Sequence, residues 1–268
     1  MPLYRSFLTV ILFLSLTTAF PQTSSDKKKG GFYLTWGYHR DRYTRSTIHF
    51  VDNTSDVNGH PYNFTFHKAK ATDQPDFHDL FHTALSVPQY VFNFGYFFGD
   101  KHDLGIEVSW DHLKYVVVDN QRMHVTGSYN GMMHDVDTLV TPSFVHYEHT
   151  NGNNYLMVSF VKRHQLFKFP YVHQSLNAIA KIGAGVLDPK TDSKIFDHHN
   201  DGPFRISGLV FGASINLRYN FLKYFFLEYG VKGAIADYTS VKLYNTGRAS
   251  QTFGSVQFIG AGGINVPL

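Results

Sequence analysis

Sixteen histidines are the chain's richest source of chemistry, because imidazole is a ready metal ligand and changes charge between about pH 5 and 8. Eleven of them, His49, His60, His67, His78, His82, His124, His134, His146, His149, His198 and His199, fall in long stretches that lack strand periodicity. Such a cluster could bind a divalent metal or sense pH. The spacing argues otherwise: His78 and His82 share a face only on a helix, and the weak metal candidates His198 and His199 point apart on a strand. Loop composition is the better account, and no metal or cofactor is expected. A second constellation is Glu148-His149-Thr150, an acid, an imidazole and a hydroxyl that together could hydrolyse an ester. Because Thr150 directly follows His149, the two project to opposite faces of a strand, which makes this a weak catalytic alternative. The third set is Glu107, Asp111, Lys181, Arg218, Glu228 and Lys232, three of each sign, each interleaved with apolar residues.

The elements that must position these residues are long amphipathic strands. Between Pro88 and Val118 two of them flank Gly99-Asp100-Lys101-His102. Tyr90, Phe92, Phe94, Tyr96 and Phe98 oppose Gln89, Val91, Asn93, Gly95 and Phe97, and Leu104, Ile106, Val108 and Trp110 oppose Gly105, Glu107, Ser109 and Asp111. Period-two alternation gives each strand one greasy and one polar or small face. About ten residues per strand is what a tilted membrane-crossing strand needs, whereas soluble strands more often run five or six. The same pattern predicts strands over 31–40, 153–163, 176–187, 205–220, from about 225 to 235, and 252–266. Between them lie excursions, of which 41–86 is expected to hold its own hairpin from Ile48-His49-Phe50 and Tyr62 to Phe66. Residues 119–152 contain the turn signal Asn130-Gly131.

The composition points the same way. Charged residues are 17% of the 268, while Phe 25, Tyr 17 and Gly 22 are numerous; about 25% charged is usual for a soluble protein. Arg5, the apolar run Phe7 to Leu16 and the small residues to Ala19 read as a secretory signal over 1–19, followed by a polar lead-in over 20–30 and a barrel domain over 31–268. Ten to fourteen apolar residues are too few to span a bilayer as a helix. A mature chain in a membrane must therefore cross as a barrel, since only helices and closed sheets satisfy every backbone group in lipid. Cysteine is absent, which removes disulfides and thiol chemistry and suits a bacterial envelope. The net charge of +3 comes in part from Lys27-Lys28-Lys29 and does not indicate nucleic-acid binding.

Eight strands, with connections alternating long and short, predict an all-β fold: an eight-stranded antiparallel transmembrane β-barrel with long extracellular loops and short periplasmic turns. A soluble lipocalin-like barrel would bury the greasy faces instead. With those faces on lipid, the six charges face a lumen that eight strands enclose narrowly. Buried charges need partners, so an ion-pair network plugging the bore is expected rather than an open pore. Function would then rest with the loops, through adhesion, recognition or envelope integrity, with outer-membrane lipid around the barrel and an extracellular protein or glycan as ligand. The sequence leaves oligomeric state open, and a narrow channel is a further alternative.

Two resemblances accompany this reading. Glu148-His149-Thr150-Asn151-Gly152 is similar to the His-Ser-Asn signature of lipid A deacylases of the PagL kind, which implies ester hydrolysis at the outer leaflet; in that family a residue separates His from the serine, as it does not here. Gly31-Phe32-Tyr33-Leu34-Thr35-Trp36-Gly37-Tyr38-His39-Arg40, Pro88-Gln89-Tyr90 and Leu104-Gly105-Ile106-Glu107 resemble a group of outer-membrane β-barrel proteins from the Bacteroidota, small barrels of the OmpA and OmpX kind. That resemblance implies location and fold and no activity.

Overall fold

A computed structural model describes residues 30–54, 57, 59–74, 88–171 and 173–268. The expected signal, nearly all of the lead-in, and His78 and His82 lie outside the described residues. Every described element is a strand: β1 (Gly31–Tyr43), β2 (Ser46–Asp52), β3 (Tyr62–Ala69), β4 (Ala71–Thr72), β5 (Tyr90–Phe97), β6 (Leu104–Val117), β7 (Gln121–Tyr129) and β8 (Met132–Val140). They continue as β9 (Val145–Lys168), β10 (Ser175–Pro189), β11 (Asp192–Ile195), β12 (His198–Asp201), β13 (Gly208–Asn220), β14 (Phe225–Lys242) and β15 (Arg248–Pro267).

Eight strands form an antiparallel ring in the order β1-β5-β6-β9-β10-β13-β14-β15, and β15 returns to β1 from Gly31↔Pro267 to Tyr43↔Ser255. The alternation predicted from sequence sets which face each residue occupies. Trp36, Phe94, Val108, Phe160, Ile182, Phe211 and Ile215 are exposed on the outside, Phe160 and Ile215 by 72% and 71%, while Tyr33, Thr35, Glu107, Ile179 and Arg218 are buried inside. On β14 the outward row runs from Phe225 to Ile235. At ~3.3 Å per residue and a tilt of about 40° this row stands about 25 Å tall, the height of a membrane-spanning apolar band. Aromatic side chains edge the band at both ends. Trp36 stacks on Tyr90 at 5.1 Å with Trp110 beside it, and Phe167, Tyr171 and Tyr224 are exposed near the short connections.

Three connections, 98–103, 169–174 and 221–224, are short and share one end of the ring; β1 starts and β15 stops there. Beyond the opposite end the described residues build a β-cap. β2 joins the ring through β15, and β3, β7 and β8 extend that sheet outward; β11 and β12 extend from β9. The expected hairpin is present, with Ile48 opposite Phe66 and Phe50 opposite Phe64. Rings from the two extensions meet in one core: Phe50 contacts Tyr147 at 5.7 Å, Phe64 contacts Phe144 at 5.5 Å, and Tyr62 contacts Phe196 at 6.0 Å.

Two sequence expectations need correcting. The strand placed at 153–163 runs from Val145 to Lys168, and the connection left between the strands ending near 235 and starting at 252 is the tight bend 243–247, closed by Leu243 N–H donating to Gly247 O at 2.9 Å. Both strands run on past the apolar band, and on β9 the cap covers both faces of the chain from Gly152 to Tyr155. On β6 this happens just past Trp110, where Asp111, His112, Leu113, Lys114 and Tyr115 are buried in succession. Alternation disappears once neither face meets solvent or lipid, so a periodicity argument stops short there.

Candidate functional site

The ring is filled at three levels. At the short-connection end a vestibule of about 620 Å³ is bordered by Arg163, Lys168, His173 and Lys223. Above it Arg218 is 1% exposed, with its guanidinium against Tyr33 and Phe226 at 4.3 and 4.0 Å from their ring centres. Such cation–π contacts strengthen when water is excluded. Gly95 makes this layer possible, because a Cβ there would lie 2.1 Å from the Tyr33 ring.

All six charges singled out in the sequence lie inside the ring and fall into two groups. Lys181 Nζ sits 2.8 Å from Glu107 and 3.4 Å from Glu228, and Arg218 Nη2 is 2.7 Å from Glu228. Lys232 pairs separately with Asp111. Neutral donors join the network: Tyr33 OH donates to Glu107 at 2.8 Å and Asn216 Nδ2 to Glu228 at 2.7 Å. The remaining space is about 20 Å³, room for a single water. Sequence reasoning did not assign Tyr33 a part; its signal was only an inward position beside Thr35.

The third level is the cap, where the histidines are used singly. His124 bridges Asp135 and Asp137 at 3.1 and 2.9 Å, His134 stacks on Tyr129 at 3.7 Å, and His49 contacts Asn63 at 2.8 Å. His199 pairs with Asp192 at 2.9 Å while His198 lies against Tyr244 at 5.0 Å, so the two neighbours do point apart. Among the described residues no three His, Asp or Glu side chains converge as a metal site.

The Glu148-His149-Thr150 segment divides between two faces of β9. Thr150 Oγ1 donates to Glu148 at 2.6 Å, and Glu148 faces His146 at 3.4 Å on the partly exposed side. His149 is fully buried on the other side, with Nδ1 on Thr191 Oγ1 at 3.0 Å and its ring among Tyr115, Tyr147 and Tyr238. The imidazole therefore cannot take a proton from Thr150, and the hydrolytic geometry is not assembled.

These two histidines set a pH window for the cap. Burial pushes His149 down to about 3 against the weak pull of Glu148. The hydrogen bond to Glu148, helped by Asp119 and opposed by burial, raises His146 to about 9. A depressed histidine keeps the folded state neutral while the unfolded chain takes up a proton below its pKa of about 6.5. The two together are expected to lower cap stability by about 1 kcal/mol from pH 6.5 to pH 5, His149 costing more than the raised His146 regains, and to lower it again as pH rises from 6.5 through 9. Hydrogen exchange of cap amides against pH measures both limbs, and His149→Phe should flatten only the acid limb.

The fold and filling define a small β-barrel with an outward apolar belt and a folded cap at one end. No family model matches the chain, and no curated protein sequence does. Among solved structures it is similar to Ail of Yersinia pestis, in complex with the heparin analogue sucrose octasulfate, with 11% identity over 88% of this chain and 99% of that one, at a TM-score of 0.32. It is also similar to the outer membrane protein OprG of Pseudomonas aeruginosa, with 7% identity over 90% and 98% of the two chains and a TM-score of 0.36. The outer membrane protease OmpT of Escherichia coli gives 11% identity, 92% and 99% coverage, and a TM-score of 0.35.

Proposed function

We propose that this protein is an outer-membrane β-barrel with a shut lumen that acts without catalysis through its cap, by adhesion, recognition or envelope integrity. The short turns face the periplasm, the cap faces outward, and residues 1–19 direct export, as in a Bacteroidota envelope. The observation that carries this reading is the outward row of large apolar side chains around the entire ring, an arrangement that water would penalise and hydrocarbon does not. Ion pairs that leave about 20 Å³ between them, with an aromatic core above, oppose the channel alternative among the described residues. The separation of His149 from Thr150 opposes the lipid A esterase alternative. A rigid scaffold presenting a structured cap is where recognition commonly resides, and an extracellular protein or glycan is the class of ligand.

Protein reconstituted in planar bilayers is expected to show no steady conductance, and the purified chain should require detergent to stay dissolved. Externally added protease should reach the cap on intact cells while sparing the ring. A large steady conductance, or solubility in plain buffer, would sink the reading.

A further inference from the structure

We propose that β8 is a docking edge at which the cap takes up an extended segment of a partner protein as an added β-strand, with a row of apolar, basic, basic and apolar side chains on one face. This deepens the reading of the cap as the recognising part of the molecule and rests on it. β8 pairs only with β7 among the described residues, and it ends the sheet that runs out from β15 through β2 and β3. The Asn130-Gly131 turn, with φ of 49° and 73°, is a two-residue hairpin turn that makes Tyr129 and Met132 a hydrogen-bonded pair. By the antiparallel pattern, Met132, His134, Val136 and Thr138 direct their backbone groups to β7. Met133, Asp135, Asp137 and Leu139 direct theirs away from the sheet.

A free edge is normally blunted by charged side chains, proline, a bulge or a cover. β8 carries no proline, its register with β7 is unbroken from Gln121↔Val140 to Tyr129↔Met132, and its only charges are two aspartates, which turn away an acidic or identical strand and admit a basic one. The four residues with outward backbone groups also share a face. Met133 is 77% and Leu139 46% exposed, and the Asp135 and Asp137 side chains remain 82% and 77% exposed although His124 contacts both. Main-chain hydrogen bonds would supply affinity, and the apolar-acidic-acidic-apolar row would supply selectivity. A second copy of the chain is the wrong occupant: antiparallel self-pairing over the whole strand sets Asp135 opposite Asp137 twice, and like charges placed directly opposite are destabilising.

The test is amide hydrogen exchange on the full chain in detergent micelles with capped peptides. Val-Thr-Lys-Thr-Lys-Thr-Val is the probe, its glutamate-for-lysine version tests charge, and a version N-methylated at the backbone nitrogens of both lysines, which face β8, tests strand addition. The lysine peptide is expected to slow exchange at Met133, Asp135, Asp137 and Leu139 at least tenfold, and the other two to have no effect. Asp135→Lys with Asp137→Lys should reverse the preference to the glutamate peptide. Leu139→Pro, which removes one outward N–H and leaves both aspartates and the β7 ladder in place, should weaken lysine-peptide binding several-fold. Equal slowing by lysine and glutamate peptides, or none by either, overturns the proposal. So does slow exchange at these amides in the free protein, since a second copy or another part of the chain would then cover the edge. Failure of the outer-membrane reading itself would show separately, as solubility without detergent.

Discussion

Replacing Arg218 with methionine will lower the unfolding free energy of the barrel by about 3–5 kcal/mol, the usual consequence of removing one partner of a buried ion pair. Arg218 approaches Glu228 through both Nε and Nη2 at 2.7 Å. Without it Glu228 keeps only Asn216 at 2.7 Å and Lys181 at 3.4 Å, and Lys181 must also serve Glu107. The cost belongs to the stranded carboxylate more than to the lost attraction. Arg218→Met combined with Glu228→Gln should therefore recover most of the loss, because no unpaired charge is left inside the ring. Urea unfolding in lipid vesicles or micelles, followed by tryptophan fluorescence, gives the two values. A double variant as unstable as the single one would show that Arg218 works mainly through its contacts with Tyr33 and Phe226.

Phe64→Ala is expected to cost about 3–5 kcal/mol as well, but to spend it in the cap. Phe64 is completely buried and sits at the crossing of the two sheet extensions, with ring contacts to Phe50 at 5.1 Å, Phe66 at 5.4 Å, Phe144 at 5.5 Å and Phe196 at 6.1 Å. Truncation leaves a cavity between two sheets that are joined to the ring at their bases and meet through these rings, so local relaxation fills little of it. Limited proteolysis should cut the cap much faster while the ring survives intact. Phe64→Leu, which keeps most of the volume, should lose far less. If the ring unfolds together with the cap, the two are a single cooperative unit and the cap cannot move independently during recognition.

Several features were legible because the lipid band imposes one rule on every strand that crosses it. Trp36, Phe94, Trp110, Phe160 and Ile215 could be assigned outward, and Glu107, Lys181 and Arg218 inward, from alternation alone. The Ile48–Phe50 and Tyr62–Phe66 hairpin was legible too, since its inner faces are aromatic and its outer faces polar. The cap as a whole was not. Residues such as His112 to Tyr115, or Asn153 and Asn154, are buried in succession because chain from elsewhere covers both sides of the strand, and a one-dimensional pattern carries no sign of that cover. The partners of individual histidines were not legible either: His124 meets two aspartates, His134 the Tyr129 ring and His149 the Thr191 hydroxyl, all contacts between distant or cross-strand positions.

By itself the sequence determined which face of each crossing strand is greasy, which charges must share the interior, and that those charges balance, because period-two geometry and the cost of unpaired buried charge depend on residue order alone. Only the tertiary structure decided which charge meets which. Register between β6, β10, β13 and β14 brings Glu107 to Lys181, Arg218 to Glu228 and Asp111 to Lys232, and register follows from how the ring closes. It also decided that the long connections fold into a cap with a core of its own and leave β8 at its edge, since pairings between distant segments depend on which surfaces the finished ring brings together.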